Sequence, residues 1–200
     1  MIETQETLRT IYPEPKARSL AKQLERLDKH CRRFISLAPF LVIATSGKDG
    51  RIDASPRGGA PGFVRVVDDK TVQLPDALGN NRLDSYTNIV QTGKAALIFF
   101  IPGMDETLRV NGNAKLRDDA ELLRQFPHER RAPRLVVEIS VEEAFLHCAK
   151  ALMRSKLWAS DNRIERAAFP SLGQMIKDQS GLTDPVETQE QAVLRYKTEL

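Results

Sequence analysis

The sequence predicts a mainly β fold with flanking helices, built as a small barrel of six or seven strands. Three observations predict it. Strand-like segments dominate residues 41–141, a single helical segment interrupts them, and Thr107–Arg117 alternates apolar and polar residues along its whole length. A doubly wound sheet would need regular βαβ alternation, which this order of segments lacks. Two hundred residues suffice for one domain with a sizeable core. The expected divisions are a helical segment over 1–39 packing on the barrel, the barrel over 40–160, and a helical extension over 161–200.

Taken in order, Ala17, Leu20, Ala21, Leu24 and Leu27 recur at helical spacing, and Cys31, Phe34, Ile35 and Ala38 do so again. Both stripes are expected to cover the sheet. Pro13 and Pro15 set off a short leading helix, and Pro39 closes the helical region. Leu41–Thr45 reads as an apolar strand, and the turn Gly47-Lys48-Asp49-Gly50 leads into Ile52–Ser55. If that second strand persists, Arg51, Asp53, Ser55 and Arg57 share a face.

Phe63–Val67 and Thr71–Leu74 form a hairpin, and Arg82–Gln91 is the inserted helix, with Leu83, Tyr86 and Val90 on one side. Ala95–Ile101 is apolar throughout, as in a strand covered on both faces. In Thr107–Arg117 the polar face carries Thr107, Arg109, Asn111, Asn113 and Lys115. A short helix near Asp118–Phe126 follows. Leu135, Val137, Ile139 and Val141 then repeat the strand pattern. The last forty residues read as peripheral helices around a loop at Gln179–Thr188.

Composition excludes several classes. A net charge of +3 spread without a Lys/Arg run, and no recognised nucleic-acid motif, argue against a nucleic-acid partner. No apolar run approaches a membrane span, and Met1–Thr10 lacks a signal peptide's apolar centre, so a cytoplasmic protein without membrane association is expected. Cys31 and Cys148 are far apart and outside any metal motif, which predicts two buried free thiols and no metal.

The chemistry-bearing residues cluster in three places. Gly79-Asn80-Asn81-Arg82 precedes the inserted helix, where Asn is a favoured cap and unpaired N–H groups attract an anion. Arg82 adds a fork matched to phosphate oxygens. The same residues also read as an ordinary capped helix with a solvated Arg. Ser55 and Arg57 stand before a Gly-rich loop and can complete a phosphate clamp, although that loop has neither GxGxxG nor a Walker pattern. Arg109 is a surface residue or a ligand contact on the barrel wall; the pattern admits both.

From His147 to Trp158 the chain is dense in functional types. If the segment is helical, Lys150, Arg154 and Trp158 lie along one side and suit an aromatic, anionic ligand; a surface helix anchored by its Trp fits as well. His147 is the one candidate catalytic acid, itself as readily structural. No nucleophile–His–acid set or metal motif is present, which favours chemistry borrowed from a cofactor.

The stretches Ser55-Pro56-Arg57-Gly58-Gly59-Ala60-Pro61-Gly62-Phe63-Val64, Leu74-Pro75-Asp76 through Gly79-Asn80-Asn81-Arg82 to Asn88, and Leu108-Arg109-Val110-Asn111-Gly112-Asn113-Ala114 together resemble the pyridoxamine 5'-phosphate oxidase-like, FMN-binding split-barrel family. Within it the chain is similar to a subgroup of FMN-dependent proteins of unknown substrate, which shares His147-Cys148, Lys150-Ala151, Arg154-Ser155 and Leu157-Trp158. The resemblance spans roughly residues 35–160. It implies a Greek-key split barrel that forms a homodimer, with FMN in clefts between subunits.

By the same resemblance, Ser55, Arg57, Asn80, Asn81 and Arg82 hold the FMN phosphate. Thr107 and Arg109 approach the ring or ribityl chain, where the family's Gln-Val-Arg pattern reads Thr107-Leu108-Arg109. Trp158 joins the cofactor site, and Lys150 and Arg154 line a substrate pocket. The family's terminal Arg-His motif is replaced by Leu194-Arg195-Tyr196-Lys197, so vitamin B6 oxidation is not expected. The implied function is FMN-dependent oxidoreduction of an unknown small molecule. The alternative is a non-catalytic flavin- or haem-binding protein of the same fold, with His30, His128 and His147 as possible axial ligands.

Overall fold

A computed structural model describes residues 1–77, 79–126, 131–181, 183 and 185–199. Seven antiparallel strands run β1 (Phe40–Ser46), β2 (Ile52–Gly58), β3 (Arg65–Val66), β4 (Thr71–Pro75), β5 (Lys94–Phe100), β6 (Thr107–Arg117) and β7 (Val136–His147). They hydrogen-bond in the order β2-β1-β5-β6-β7-β4-β3. Leu41 and Ile43 from one end of that order share a single apolar cluster with Val72 and Leu74 from the other. The sheet therefore curls around one core, as the expected split barrel requires.

Alternation in β6 places Leu108, Val110, Gly112 and Ala114 inward, as the sequence predicts. In β5, Ala95, Leu97 and Phe99 are buried, while Ala96, Ile98 and Phe100 on the outer face are only half-buried. Full burial on both faces is thus not seen within one protomer. Strand β7 extends to His147, well past Val141, because it carries a bulge. Asn111 faces Glu143 and Gly112 faces Val141, leaving Glu142 as the extra residue.

The helices before the sheet differ from the sequence reading. Helices α1 (Gln5–Ile11) and α2 (Ala17–Ala21) bury no residue. The first stripe is not a helix through Leu27. Leu24 instead bridges Ala144, donating from its N–H to the Ala144 carbonyl at 3.0 Å and accepting from the Ala144 N–H at 2.7 Å. Helix α3 (Lys29–Leu37) does cover the core with Cys31, Phe34 and Ile35. The Asp28 carboxylate starts it by accepting from the His30 and Cys31 N–H groups at 2.9 and 2.8 Å.

Helix α4 (Asp84–Thr92) is inserted between β4 and β5, and α5 (Ala120–Leu123), between β6 and β7, belongs to a small satellite cluster of Leu122, Phe126 and Val136. Helix α6 (Lys150–Ser155) follows β7; α7 (Leu172–Ser180) and α8 (Gln189–Glu199) are peripheral. Among the described residues, no helix is long and apolar enough to cross a membrane. Cys31 is buried, and burial pushes its thiol up to about 11. Cys148 is exposed, so only one of the two thiols is covered.

Candidate functional site

Two polar regions flank the sheet, one on each face. Opposed residues of antiparallel strands point to the same side, and Asp53, Ser55 and Arg57 oppose Thr45, Ile43 and Leu41. The β2 triplet therefore shares the inner face, where α4 packs. The helix is held there by Asn88, whose amide donates to the Thr45 hydroxyl at 3.0 Å. Gly93, in the left-handed region at φ 66°, ends it.

At this inner corner Arg57 Nη2 donates to the Ser85 hydroxyl at 3.2 Å, and its guanidinium lies 5.9 Å from the Tyr86 ring centre. Ser85 in turn donates to the Asp53 carboxylate in a short bond. The Ser55 hydroxyl donates to the same carboxylate at 3.0 and 3.2 Å. Ser85 is buried, and burial outweighs the nearby Arg57 charge in raising the Tyr86 hydroxyl above its ordinary value.

The approach to α4 is not the capped turn the sequence suggests. Asn81 and Leu83 both take left-handed backbone angles, φ 57° and 60°, and Leu83 occupies the cap position without a side-chain bond. Asn80 accepts from the Arg82 N–H at 3.1 Å in a local turn. Arg82 is an exposed residue whose Nε lies 2.8 Å from Asp84 Oδ2. Asp84, through its hydrogen bond and charge, raises the exposed Arg82 guanidinium above its already high value. Ser85 and Ile89 are the buried residues of α4, while Leu83 and Val90 face solvent, contrary to the stripe read from sequence.

On the outer face, register aligns Pro56, Val42, Ile98, Arg109 and Phe145 in one row across five strands. Arg109 is the only charged member of that row. Its guanidinium stands 4.9 Å from the Phe145 ring centre, and the Lys22 ammonium stands 5.4 Å from the same ring. Mid-strand Arg109 is thus packed on an aromatic ring rather than free in solvent.

Beside this row a cleft of about 600 Å³ is lined by Ile98, Phe100, Thr107 and His147, with Lys150 and Arg154 on α6. Thr107 opposes His147 and is buried. Burial first, then the charges of Arg109 and Lys22, lowers the proton affinity of His147. Its Nε2 is buried without a hydrogen-bond partner, and its ring packs against Phe145 at a tilt of 50°, the centres 4.8 Å apart.

The structure therefore brings Ser55 and Arg57 together around Ser85, leaves Arg82 exposed and paired to Asp84, and separately brings Thr107, Lys150 and Arg154 around His147. It does not bring these groups to one point within a protomer, because they occupy opposite faces. Trp158 leaves the Lys150–Arg154 stripe: α6 stops at Ser155, Lys156 turns left-handed at φ 49°, and the indole donates to the Met104 carbonyl at 2.7 Å. Sequence reading missed Ser85, Phe145 and Lys22. Only Ser85 left a signal, as a hydroxyl one residue inside the helix.

The family model for pyridoxamine 5'-phosphate oxidase matches residues 27–148, and the chain belongs to that family. No curated protein matches the sequence. Among solved structures, the chain is similar to HupZ of Group A Streptococcus, with 20% identity over 60% of this chain and 92% of that one and a TM-score of 0.47. A candidate pyridoxamine 5'-phosphate oxidase of Lactobacillus delbrueckii gives 22% identity over 62% and 98%, TM-score 0.49. An FMN-binding protein of Syntrophomonas wolfei gives 14% over 72% and 96%, TM-score 0.43.

Within one protomer the two groups do not form a single flavin pocket, although each suits one part of a flavin mononucleotide. The inner corner offers two guanidiniums suited to a phosphate monoester. The outer face offers an apolar row with one cation and a buried, unpartnered imidazole nitrogen, which suits a planar ring with polar edges.

Proposed function

We propose that this protein is an FMN-binding flavoprotein that acts as an oxidoreductase on a small molecule, as a homodimer. The observation that supports it most is the hydrogen-bonded cluster of Arg57, Ser55 and Ser85 on the inner face. Ser55, Arg57, Asn80, Asn81 and Arg82 hold the phosphate. Thr107 and Arg109 meet the ring, and Lys150 and Arg154 receive an anionic substrate. Because the two groups sit on opposite faces of one sheet, a complete site draws its phosphate corner from one protomer and its ring contacts from another. The half-exposed apolar residues Phe40, Val42, Ile98 and Phe100 give the second copy a surface to cover.

Bound FMN supplies hydride chemistry at its N5 atom. Arg109 provides a fixed positive charge beside the ring, and burial keeps His147 neutral near pH 7, able to hold or pass a proton at its unpartnered Nε2. Titration of the apoprotein with FMN and with riboflavin tests the reading. FMN should bind tighter by at least about tenfold, the contribution of one or two charge-assisted hydrogen bonds. Equal affinities overturn it, as does a protein that takes up haem in place of flavin. Bleaching of the bound flavin by a nicotinamide donor, with turnover, separates an enzyme from a flavin carrier.

A further inference from the structure

The inner corner already contains an anion of its own. The Asp53 carboxylate accepts from Ser55 at 3.0 and 3.2 Å and from Ser85 in a short bond, and the two hydroxyl oxygens lie 3.2 Å apart. Each hydroxyl has a single proton to donate. With both protons turned toward Asp53, Ser55 and Ser85 present only lone pairs to anything entering the corner. Ser85 spends one of those on Arg57 Nη2.

The charge count agrees. Arg57 and Arg82 are matched by Asp53 and Asp84, with Arg82 paired directly to Asp84 at 2.8 Å. The carboxylates offset the cations of this corner, and Asp76 adds a further negative charge near Tyr86. A phosphate group entering it meets two cations, two carboxylates and hydroxyls already engaged.

We infer that Asp53 is a resident competitor for the ligand's phosphate group, occupying the Ser55 and Ser85 donors and setting how strongly the corner prefers a phosphorylated ligand over its dephosphorylated form. This inference rests on the proposed phosphate role of the corner. Displacing the two hydroxyls from Asp53 is a cost that FMN carries and riboflavin does not. Asp53 is thus a specificity-determining residue, and removing its charge is a gain of function.

The test titrates wild type and Asp53→Asn with FMN and with riboflavin, following flavin fluorescence. Asp53→Asn should bind FMN about tenfold tighter, the scale of removing a like charge a few ångströms away at a partly exposed site. Riboflavin affinity should stay within twofold. If wild type prefers FMN but Asp53→Asn binds it equally or more weakly, the inference is overturned while the phosphate corner stands. If neither protein distinguishes the two flavins, the corner reading itself fails.

Asp53→Ser removes the same charge with a smaller side chain and serves if the Asn variant does not fold. A combined Ser55→Ala/Ser85→Ala change completes a cycle with Asp53→Asn. It should abolish the gain in the Asp53→Asn background, whereas a gain that persists without the two hydroxyls overturns the inference.

Discussion

Arg109 and Phe145 face each other across β6 and β7, the guanidinium 4.9 Å from the ring centre. That stack puts a fixed cation next to His147, which shares Phe145 as its ring partner. Burial, then Arg109, then Lys22 lowers the His147 pKa from 6.5. The folded state then binds fewer protons than the unfolded chain between the lowered value and about 6.5. Stability contributed by neutral His147 is present above that window and lost as pH falls through it. His147→Gln should remove this acid-side decline, seen as a smaller drop in melting temperature from pH 7 to pH 5 than wild type shows.

Arg57 reaches the inner corner from a strand and bonds to buried Ser85, whereas Arg82 is exposed and already paired with Asp84. Arg57→Ala should weaken FMN binding by about 1.5–3 kcal/mol, the scale of a charge-assisted hydrogen bond. Arg82→Ala should cost less, because its contact with a phosphate replaces an existing one with Asp84. Fluorescence titration of both apoproteins checks the order, and equal or reversed losses would count against the assignment.

Gly112 sits opposite the bulge in β7, where the sheet backbones approach closely. A Cβ placed there would lie 2.0 Å from the Ser140 carbonyl oxygen and 2.9 Å from its carbon, both backbone atoms that cannot swing aside. Gly112→Ala should destabilise the fold by at least about 3 kcal/mol. Denaturant unfolding measures it, and a loss under about 1 kcal/mol would mean the strands can part there without harm.

Trp158 is tied to Met104 rather than to the Lys150–Arg154 stripe. Trp158→Phe should cost about 1 kcal/mol of stability for the lost hydrogen bond and leave FMN affinity within about twofold. Thermal melts and flavin titration read the two effects separately. A tenfold loss of FMN affinity with an unchanged melting temperature would instead place the indole on the cofactor.

The elements legible in the sequence are those where one local pattern runs uninterrupted. Thr107–Arg117 is a clean alternation, and the observed strand has those same bounds. The second apolar stripe, from Cys31 to Ala38, lies on α3 and its C-terminal cap, with its end marked by Pro39. Readings failed where tertiary structure or unusual backbone angles overrode the local signal. Leu24 keeps helical spacing but is captured by Ala144. Asn81 and Leu83 both turn left-handed, moving the start of α4 to Asp84. Trp158 lies beyond a left-handed Lys156. The site was legible as residue types; its division between two faces depended on strand register, which short apolar runs do not reveal.

The extra residue in β7 decides which side chains line the cleft. Up to Val141 the odd-numbered residues face the core; past Glu142 the even-numbered ones do, so Ala144 opposes Val110 and Leu146 opposes Leu108. Phe145 and His147 are thereby turned outward. Were Glu142 paired opposite Asn111 instead, with no residue left over, Glu143 would oppose Val110 and Phe145 would oppose Leu108, turning the aromatic ring and the imidazole toward the hydrocarbon interior. A single unpaired residue, silent in composition and charge, sets which side chains reach the cleft.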